Sequence, residues 1–159
     1  MSVLNKEKLA QLSWLAVTAR EQAYAPYSNH PVGVALLAGS GAVYTGANCE
    51  FANFDSTCAE NTAIAAMASA GERYIDAIVV VGPQHGAGIC MPCGRCRQRI
   101  KEFADAKTRI YALKPDGKPG KTLTMDQLLP YAFGPQDLAV LGVGPKAKAP
   151  RKTASKKKK

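Results

Sequence analysis

Two short motifs, Cys58-Ala59-Glu60 and Pro92-Cys93-Gly94-Arg95-Cys96, constrain the fold of this chain more than any other feature. They supply three thiols for one metal ion and a carboxylate two residues after the first thiol. A shared metal would require the fold to bring two distant segments together. Three protein ligands leave one tetrahedral position of a zinc ion open, which is typical of catalytic zinc. A nearby Glu that is not a ligand can move protons there, so the motifs predict zinc hydrolase chemistry.

Other interpretations of these cysteines stay open. A Cys-x-x-Cys pair can be a thioredoxin-like redox pair, although that scheme has no place for the first motif. A structural zinc with four ligands would take Cys90, Cys49 or a histidine as the fourth. Cys90 and Cys93 also form an overlapping pair. We expect ligation by Cys93 and Cys96, because only that pair begins a predicted helix after a Pro-Cys step, and we expect Cys90 to be a buried small apolar residue.

Length and composition are those of one small domain. At 159 residues the chain can build one hydrophobic core. It contains no apolar run of the roughly 20 residues that span a bilayer, and its first residues lack the form of a signal peptide. Five cysteines, an odd number, argue for a reducing compartment and against a disulfide framework. The sequence therefore predicts a cytoplasmic protein.

The positive charge is concentrated at one end. The formal net charge is +9, but residues 145–159 carry eight of the positive charges and no acid, which leaves the rest at +1. This Lys-rich segment is too polar to bury surface, and we expect a disordered, solvated tail after a catalytic domain of residues 1–144. Weak contact of the tail with RNA or DNA is the alternative interpretation.

Hydrophobic periodicity predicts alternating helices and strands. The near-continuous Ile and Val of one strand indicate a sheet that is covered on both faces, so we expect a three-layer α/β/α sandwich with a mixed sheet. The predicted helices run from Asn5 to Tyr24, Cys58 to Ala70 and Cys93 to Phe103, with a helical turn from Gln136 to Leu141. The predicted strands run from Val32 to Leu37, Val43 to Cys49, Asp76 to Val81 and Arg109 to Leu113, with an edge strand near Thr122.

This map places the metal between two helix N-termini. Cys58 and Cys93 each begin a predicted helix, where free N–H groups and the positive end of the helix dipole favour thiolate over thiol. Three thiolates leave excess negative charge on a zinc site. Arg95 and Arg97 flank Cys96, and we expect them to offset that charge.

Several segments together resemble the small homotetrameric cytidine deaminases, in the same order from about Leu9 to Leu138. The segments are Tyr24 to Asn29, Val32 to Leu37, Tyr44 to Glu50, Cys58 to Glu60, Pro92 to Gln98, Leu128 to Pro130 and Phe133 to Pro135. The sequence from Gly94 to Gln98 (Gly-Arg-Cys-Arg-Gln) also resembles that of blasticidin S deaminases, which belong to the same superfamily. The resemblance implies a cytidine-deaminase-like sandwich with a five-stranded sheet, one zinc per subunit, and a tetramer whose active sites are completed by neighbouring subunits.

The resemblance also implies a site. Cys58, Cys93 and Cys96 match the family's zinc ligands, and Glu60 matches its proton shuttle in the hydrolytic deamination of a cytosine nucleoside. Among the substrate-binding positions, Asn48 and Glu50 match the pair that hydrogen-bonds the sugar hydroxyl, the main-chain N–H of Ala59 would bind the base carbonyl, and Phe133 matches an aromatic residue that an adjacent subunit lays against the base.

The departures from the family pattern cluster around the substrate. His30 stands beside the base where the family usually has Phe, and Phe51 and Phe54 replace an Asn and a Tyr. Asn61 replaces an Arg that compensates thiolate charge, a duty we expect Arg95 to assume.

The residues and the resemblance together predict deamination of cytidine or deoxycytidine in pyrimidine salvage. Two alternatives remain at this point. One is deamination of a modified or antibiotic cytosine nucleoside of the blasticidin S type. The other is a nucleic-acid-binding protein that acts through the basic tail.

Overall fold

Strands and helices alternate along the chain in the computed structural model, which describes residues 4–83 and 88–138. The strands are β1 (Gly33–Ala38), β2 (Val43–Ala47), β3 (Cys49–Glu50), β4 (Ser56–Thr57), β5 (Ile75–Val81), β6 (Arg109–Leu113) and β7 (Pro119–Thr124). The helices are α1 (Lys6–Glu21), α2 (Ala59–Ser69), α3 (Gly94–Phe103) and α4 (Met125–Leu128), followed by a 3-10 turn at Pro135–Leu138. None of the helices in these two described ranges is long and apolar enough to cross a bilayer.

A mixed five-stranded sheet in the order β2-β1-β5-β6-β7 forms the centre of the fold. β5 and β6 are parallel, whereas β1 pairs antiparallel with β2 and β5, and β7 pairs antiparallel with β6. Every residue of β1 and nearly every residue of β5 is buried. Strands of this kind are expected where helices cover both faces of a sheet.

The side chains of the sheet divide between two cores. Leu12 and Ala16 of α1 pack on one face with a cluster that includes Ala35, Val79 and Tyr111. On the other face, α2 and α3 pack with the alternate residues of the same strands. That second core includes Val34, Leu36, Ala63, Met67, Ile78 and Ile100. The predicted three-layer α/β/α sandwich is confirmed.

One predicted strand is divided. The predicted strand from Val43 to Cys49 ends at Ala47, and Cys49 and Glu50 pair instead with β4 in a separate two-stranded sheet. The main chain turns at Asn48, whose N–H donates to the carbonyl of Val32 and whose carbonyl accepts from Tyr24. The chain therefore leaves the main sheet at Asn48, and Cys49 and Glu50 belong to the smaller sheet.

Two predictions concern residues that lie partly or wholly outside the described ranges. Of the helical turn predicted from Gln136 to Leu141, the structure describes the part up to Leu138, which lies in the 3-10 turn. The predicted tail of residues 145–159 lies outside the described residues.

Helix α2 lies directly on the backbone of β2. A Cβ atom on Gly46 would stand 2.3 Å from the carbonyl oxygen of Ala59 and 2.5 Å from the main-chain nitrogen of Ala63. Such distances are shorter than any real Cβ contact, so glycine is needed for this approach. The contact fixes the N-terminus of α2, which carries the first motif, against the sheet.

Candidate active site

Both cysteine motifs lie at helix N-termini. Cys58 is the N-cap of α2 and Cys93 is the N-cap of α3, and both have extended backbone angles. Neither side chain forms the hydrogen bond that usually caps a helix, so both sulfur atoms remain available for a ligand. The positive ends of two helix dipoles meet here, which favours bound thiolate.

Three thiols form one cluster. The sulfur atoms of Cys58, Cys93 and Cys96 all lie within 4.8 Å of one another, and the Cys58 and Cys93 sulfurs are 4.0 Å apart. Tetrahedral zinc with Zn–S bonds of about 2.3 Å separates its sulfur ligands by about 3.8 Å, so the donor set fits zinc. Within the described residues, neither Cys90 nor Cys49 joins this cluster. A fourth cysteine ligand is therefore not present there.

The protein environment alone does not favour three thiolates. Burial raises the pKa of Cys58, and burial together with the neighbouring Glu60 carboxylate raises the pKa of Cys96. For Cys93, burial also acts to raise the pKa, but hydrogen bonds from Cys96 and Cys58 outweigh it and lower the pKa overall. A bound cation would deprotonate coordinating thiols outright.

Glu60 lies against this cluster. The residue is only 4% exposed, and its Oε2 atom accepts a hydrogen bond from the Cys96 thiol at 3.1 Å. It is also part of the wall of a cavity of about 340 Å³. A carboxylate buried between the thiol cluster and a cavity is suited to moving protons at a molecule held in that cavity.

The cavity joins the cluster to polar groups on another part of the fold. Four of the predicted substrate-binding residues contribute to its wall: His30, Asn48, Glu50 and Ala59. Met91 also lines the cavity. Sequence reasoning missed other residues of the wall, namely Ser28, Val32, Ser56 and Thr57, and did not expect Cys90 there.

The side chain of Asn48 holds the segment before β1. Its Oδ1 atom accepts from the main-chain N–H of Val32 at 2.7 Å, and its Nδ2 atom donates to the carbonyl of His30 at 3.1 Å. Asn48 therefore positions His30 at the cavity wall.

Glu50 is held by the loop after α1. Its Oε2 atom accepts from the main-chain N–H groups of Tyr27 and Ser28 at 3.0 Å each, and its Oε1 atom accepts from the Ser28 hydroxyl. These bonds, the Ser28 hydroxyl above all, lower the pKa of Glu50. The Tyr-Ser step in the predicted loop was the signal that could have identified Ser28.

Cys90 and His30 meet at the wall. The Cys90 sulfur lies 3.8 Å from Nε2 of His30, and burial raises the pKa of the Cys90 thiol to about 11. Cys90 is half-buried and also packs against Gly82, where an added Cβ would stand 2.4 Å from the Cys90 Cβ. It is thus part of the cavity wall as well as of the packing that we expected.

Three further predicted site residues lie away from the cavity wall. Phe133 is 58% exposed, and its carbonyl accepts from Gln98 at 2.8 Å. Arg97 donates to the carbonyls of Pro92 and Leu128 at 2.8 and 3.3 Å, which ties the loop before Cys93 to its surroundings. Arg95 is exposed near the start of α3. Charge compensation by Arg95 and Arg97 stays a prediction.

Comparisons with known proteins agree with this arrangement. A protein-family model described as "Cytidine and deoxycytidylate deaminase zinc-binding region" matches residues 6–112. A cytidine deaminase of Sporosarcina psychrophila is 44% identical over 122 residues, which cover 76% of this chain and 88% of that protein. One from Halalkalibacterium halodurans is 42% identical over 124 residues, covering 77% of this chain and 92% of that protein.

A solved structure extends the agreement to three dimensions. The crystal structure of cytidine deaminase from Burkholderia pseudomallei matches with a TM-score of 0.72 and 37% identity, covering 82% of this chain and 100% of that chain. The fold, the three-thiol cluster and these relatives together establish that the chain belongs to the zinc-binding cytidine and deoxycytidylate deaminase family.

Proposed function

We propose that this chain is a zinc-dependent hydrolase that converts cytidine or deoxycytidine, with water, into uridine or deoxyuridine and ammonia, as in pyrimidine salvage. One observation carries the proposal: the Glu60 carboxylate lies 3.1 Å from a sulfur of the three-thiol cluster, in the wall of a cavity that also includes Asn48 and Glu50. The names of the relatives, which are cytidine deaminases, support the same reaction.

In this proposal Glu60 performs the proton transfers. Cys58, Cys93 and Cys96 would hold the zinc ion, which when bound supplies a water acidic enough to react at neutral pH. The Glu60 carboxylate accepts a proton from the attacking water and delivers it to N3 of the cytosine ring. A bond from C4 to oxygen forms, and Glu60 then passes the proton of the new C4 hydroxyl to the amino nitrogen. The bond from C4 to that nitrogen breaks as the C4 carbonyl forms, and the amino group leaves as ammonia.

The remaining wall residues orient the nucleoside. The main-chain N–H of Ala59 is one of the first N–H groups of α2, which have no partner within the helix, and it would bind the base carbonyl. Asn48 and Glu50 would bind a sugar hydroxyl at the other end of the cavity, while His30 lies beside the base. Arg95 and Arg97 would offset the charge of the thiolates.

Assembly and location complete the proposal. The subunits form a homotetramer in which Phe133 of one subunit packs against the base in the site of another, since Phe133 is exposed and lies outside the wall of its own cavity. The five cysteines are free thiols, which supports a cytoplasmic location.

Ammonia release from cytidine, deoxycytidine, cytosine and CMP tests this function. We expect turnover of both nucleosides, loss of activity with a zinc chelator, and recovery when zinc is returned. Cytosine should react poorly because it lacks the sugar that Asn48 and Glu50 bind. CMP should react poorly because no Lys or Arg is among the described residues of the cavity wall. If protein with one zinc per chain released no ammonia from either nucleoside, the proposal would be wrong.

A further inference from the structure

Two side chains in the cavity wall are of metal-binding types but do not belong to the three-thiol cluster. The Cys90 sulfur lies 3.8 Å from Nε2 of His30, and both residues line the cavity. In the described part of the chain, neither of these two atoms has another hydrogen-bond partner. A thiolate and a neutral imidazole are ligands that zinc prefers. The pair therefore offers two free ligand atoms in the same cavity as Glu60.

The fold holds both residues in place without a metal. The N–H of His30 donates to the Ser28 hydroxyl at 3.1 Å, and its carbonyl accepts from Nδ2 of Asn48 at 3.1 Å. Cys90 packs so closely against Gly82 that a Cβ there would stand 2.4 Å from the Cys90 Cβ. Because the main chain of both residues is already ordered, a cation bound between them would cost little further ordering.

The spacing of the pair suits one metal ion. Zinc forms bonds of about 2.3 Å to sulfur and about 2.0–2.1 Å to nitrogen, so tetrahedral zinc separates two such ligand atoms by about 3.6 Å. The observed separation of 3.8 Å is close to that value. A small rotation of the exposed His30 side chain closes the difference without a movement of the backbone.

The charge around the pair favours a cation. The cavity wall includes the carboxylates of Glu50 and Glu60, and no Lys or Arg is among its described residues. Burial, together with the charges of Glu60 and Cys93, raises the pKa of the Cys90 thiol to about 11. The same negative charge attracts a divalent cation, and a metal ion deprotonates a thiol that coordinates it.

We propose that His30 and Cys90 form a second metal site, which binds a zinc ion in the nucleoside cavity and so inhibits the enzyme. Water would complete the coordination, and the Cys90 thiol would release its proton to the solvent as the zinc ion binds. With two protein ligands instead of three, this site is weaker than the three-thiol cluster. The inhibition rests on the proposed function, because His30 would lie beside the base, whereas the metal binding does not depend on it.

Zinc titration of protein that already holds one zinc per chain tests the site directly. We expect calorimetry to show one further zinc per chain, which dialysis removes while the first stays bound. Co²⁺ is the spectroscopic probe, because it binds such ligands more weakly than zinc and leaves the first zinc in place. Bound Co²⁺ should show an absorption band from its bond to the Cys90 thiolate.

Variants locate the second zinc. Cys90→Ser and His30→Phe should each lower its affinity by about tenfold or more, since even the loss of a residue that only hydrogen-bonds to a ligand costs about 10–100-fold. Cys90→Ser should also abolish the Co²⁺ band. Cys49→Ser is the matched control, because Cys49 is likewise a half-buried free cysteine but lies outside the cavity wall. It should leave the second site unchanged.

Inhibition connects the site to the reaction. Added zinc should raise KM for cytidine in the native protein without a change in kcat, and uridine should weaken binding of the second zinc. In Cys90→Ser, about tenfold more zinc or above should be needed for the same rise in KM, relative to the value for that variant without added zinc.

The outcomes distinguish this inference from the proposed function. If calorimetry shows no second zinc, or if the second zinc binds equally to the native protein, Cys90→Ser and His30→Phe, the inference is wrong. A second zinc that binds at the pair and leaves KM unchanged would refute the inhibition. If cytidine is not turned over at all, the proposed function is wrong, and calorimetry with the Co²⁺ spectra decides the metal site alone.

Discussion

The three clustered thiols occupy different environments. Cys58 and Cys93 are N-caps of two helices, whereas Cys96 lies in the first turn of α3 and is fully buried. Cys90 lines the same cavity but is outside the cluster. Cys90 is only three residues before Cys93 in the chain, yet the proposed zinc site includes Cys93 and excludes Cys90.

Replacing Cys96 by Ser should remove the metal. We expect the zinc affinity of Cys96→Ser to fall by more than about a hundredfold. Loss of a residue that only hydrogen-bonds to a metal ligand lowers affinity by up to about a hundredfold, and loss of the ligand itself should cost more. Cys90→Ser is the matched control and should retain one zinc per chain. Zinc content and the thiolate absorption bands of cobalt-substituted protein measure both variants. Equal zinc loss in the two variants would contradict the proposed ligand set.

Sequence reasoning at this scale depended on spacing. The positions of Cys58, Glu60, Cys93 and Cys96 could be inferred, because helix-start motifs place such groups relative to one another. The contact between Cys90 and His30, and the bonds from Ser28 to Glu50, join segments that are distant in the chain. Local patterns carry no information about such long-range contacts, so only the fold reveals them.

At the scale of elements, the approach of α2 to β2 positions Glu60. The close contact at Gly46 leaves no room for a side chain between strand and helix. A comparable contact occurs on the opposite face, where a Cβ on Gly33 would stand 2.1 Å from the carbonyl oxygen of Ala16 in α1. The two glycines thus allow a matched comparison of packing and function.

Alanine at either glycine should destabilise the fold, but only one should strongly affect the chemistry. We expect Gly46→Ala and Gly33→Ala each to lower the free energy of unfolding by about 1–3 kcal/mol or more, because backbone must move to admit the Cβ. Gly46→Ala should also reduce kcat, since it displaces the α2 turn that carries Glu60. Urea titrations and kcat, measured where both variants are folded, test this. An equal fall of kcat in both would show that α2 placement has no special role.

Most elements could be predicted from periodicity, and the exceptions have physical causes. The β3–β4 pair is too short for a hydrophobic pattern, so the turn at Asn48 was not foreseen. Helix α4 has a capping box between Thr124 and Gln127 that could have indicated it. In α2 the buried face includes Glu60, a polar residue that an apolar pattern excludes.

At the scale of the whole molecule, one subunit holds the thiol cluster and the cavity, but Phe133 lies outside the wall of that cavity. The tetramer proposal explains this placement by a site shared between subunits. The boundary between the catalytic domain and a Lys-rich tail at residue 145 stays a prediction, since the tail lies outside the described residues.

Mixed assemblies test the shared site. Phe133→Ala alone should raise KM for cytidine by about two- to tenfold, the usual value of one aromatic contact. In hybrid tetramers of Phe133→Ala and Glu60→Gln subunits, some sites combine the native Glu60 of one subunit with the native Phe133 of another. At low cytidine the activity per native Glu60 should then exceed that of the Phe133→Ala parent. Light scattering should give four chains. Activity equal to the average of the parents would contradict a site that subunits share.

The central claim is that Glu60 transfers protons in a zinc-dependent deamination, and Glu60→Gln tests it most directly. The amide keeps the size of the side chain but cannot accept a proton from water. The measurement is kcat for cytidine deamination together with zinc content, for the variant and the native protein. The account predicts a kcat lower by about 10²–10⁴-fold with one zinc per chain still bound. A variant that retains zinc and deaminates cytidine at the native rate would contradict it.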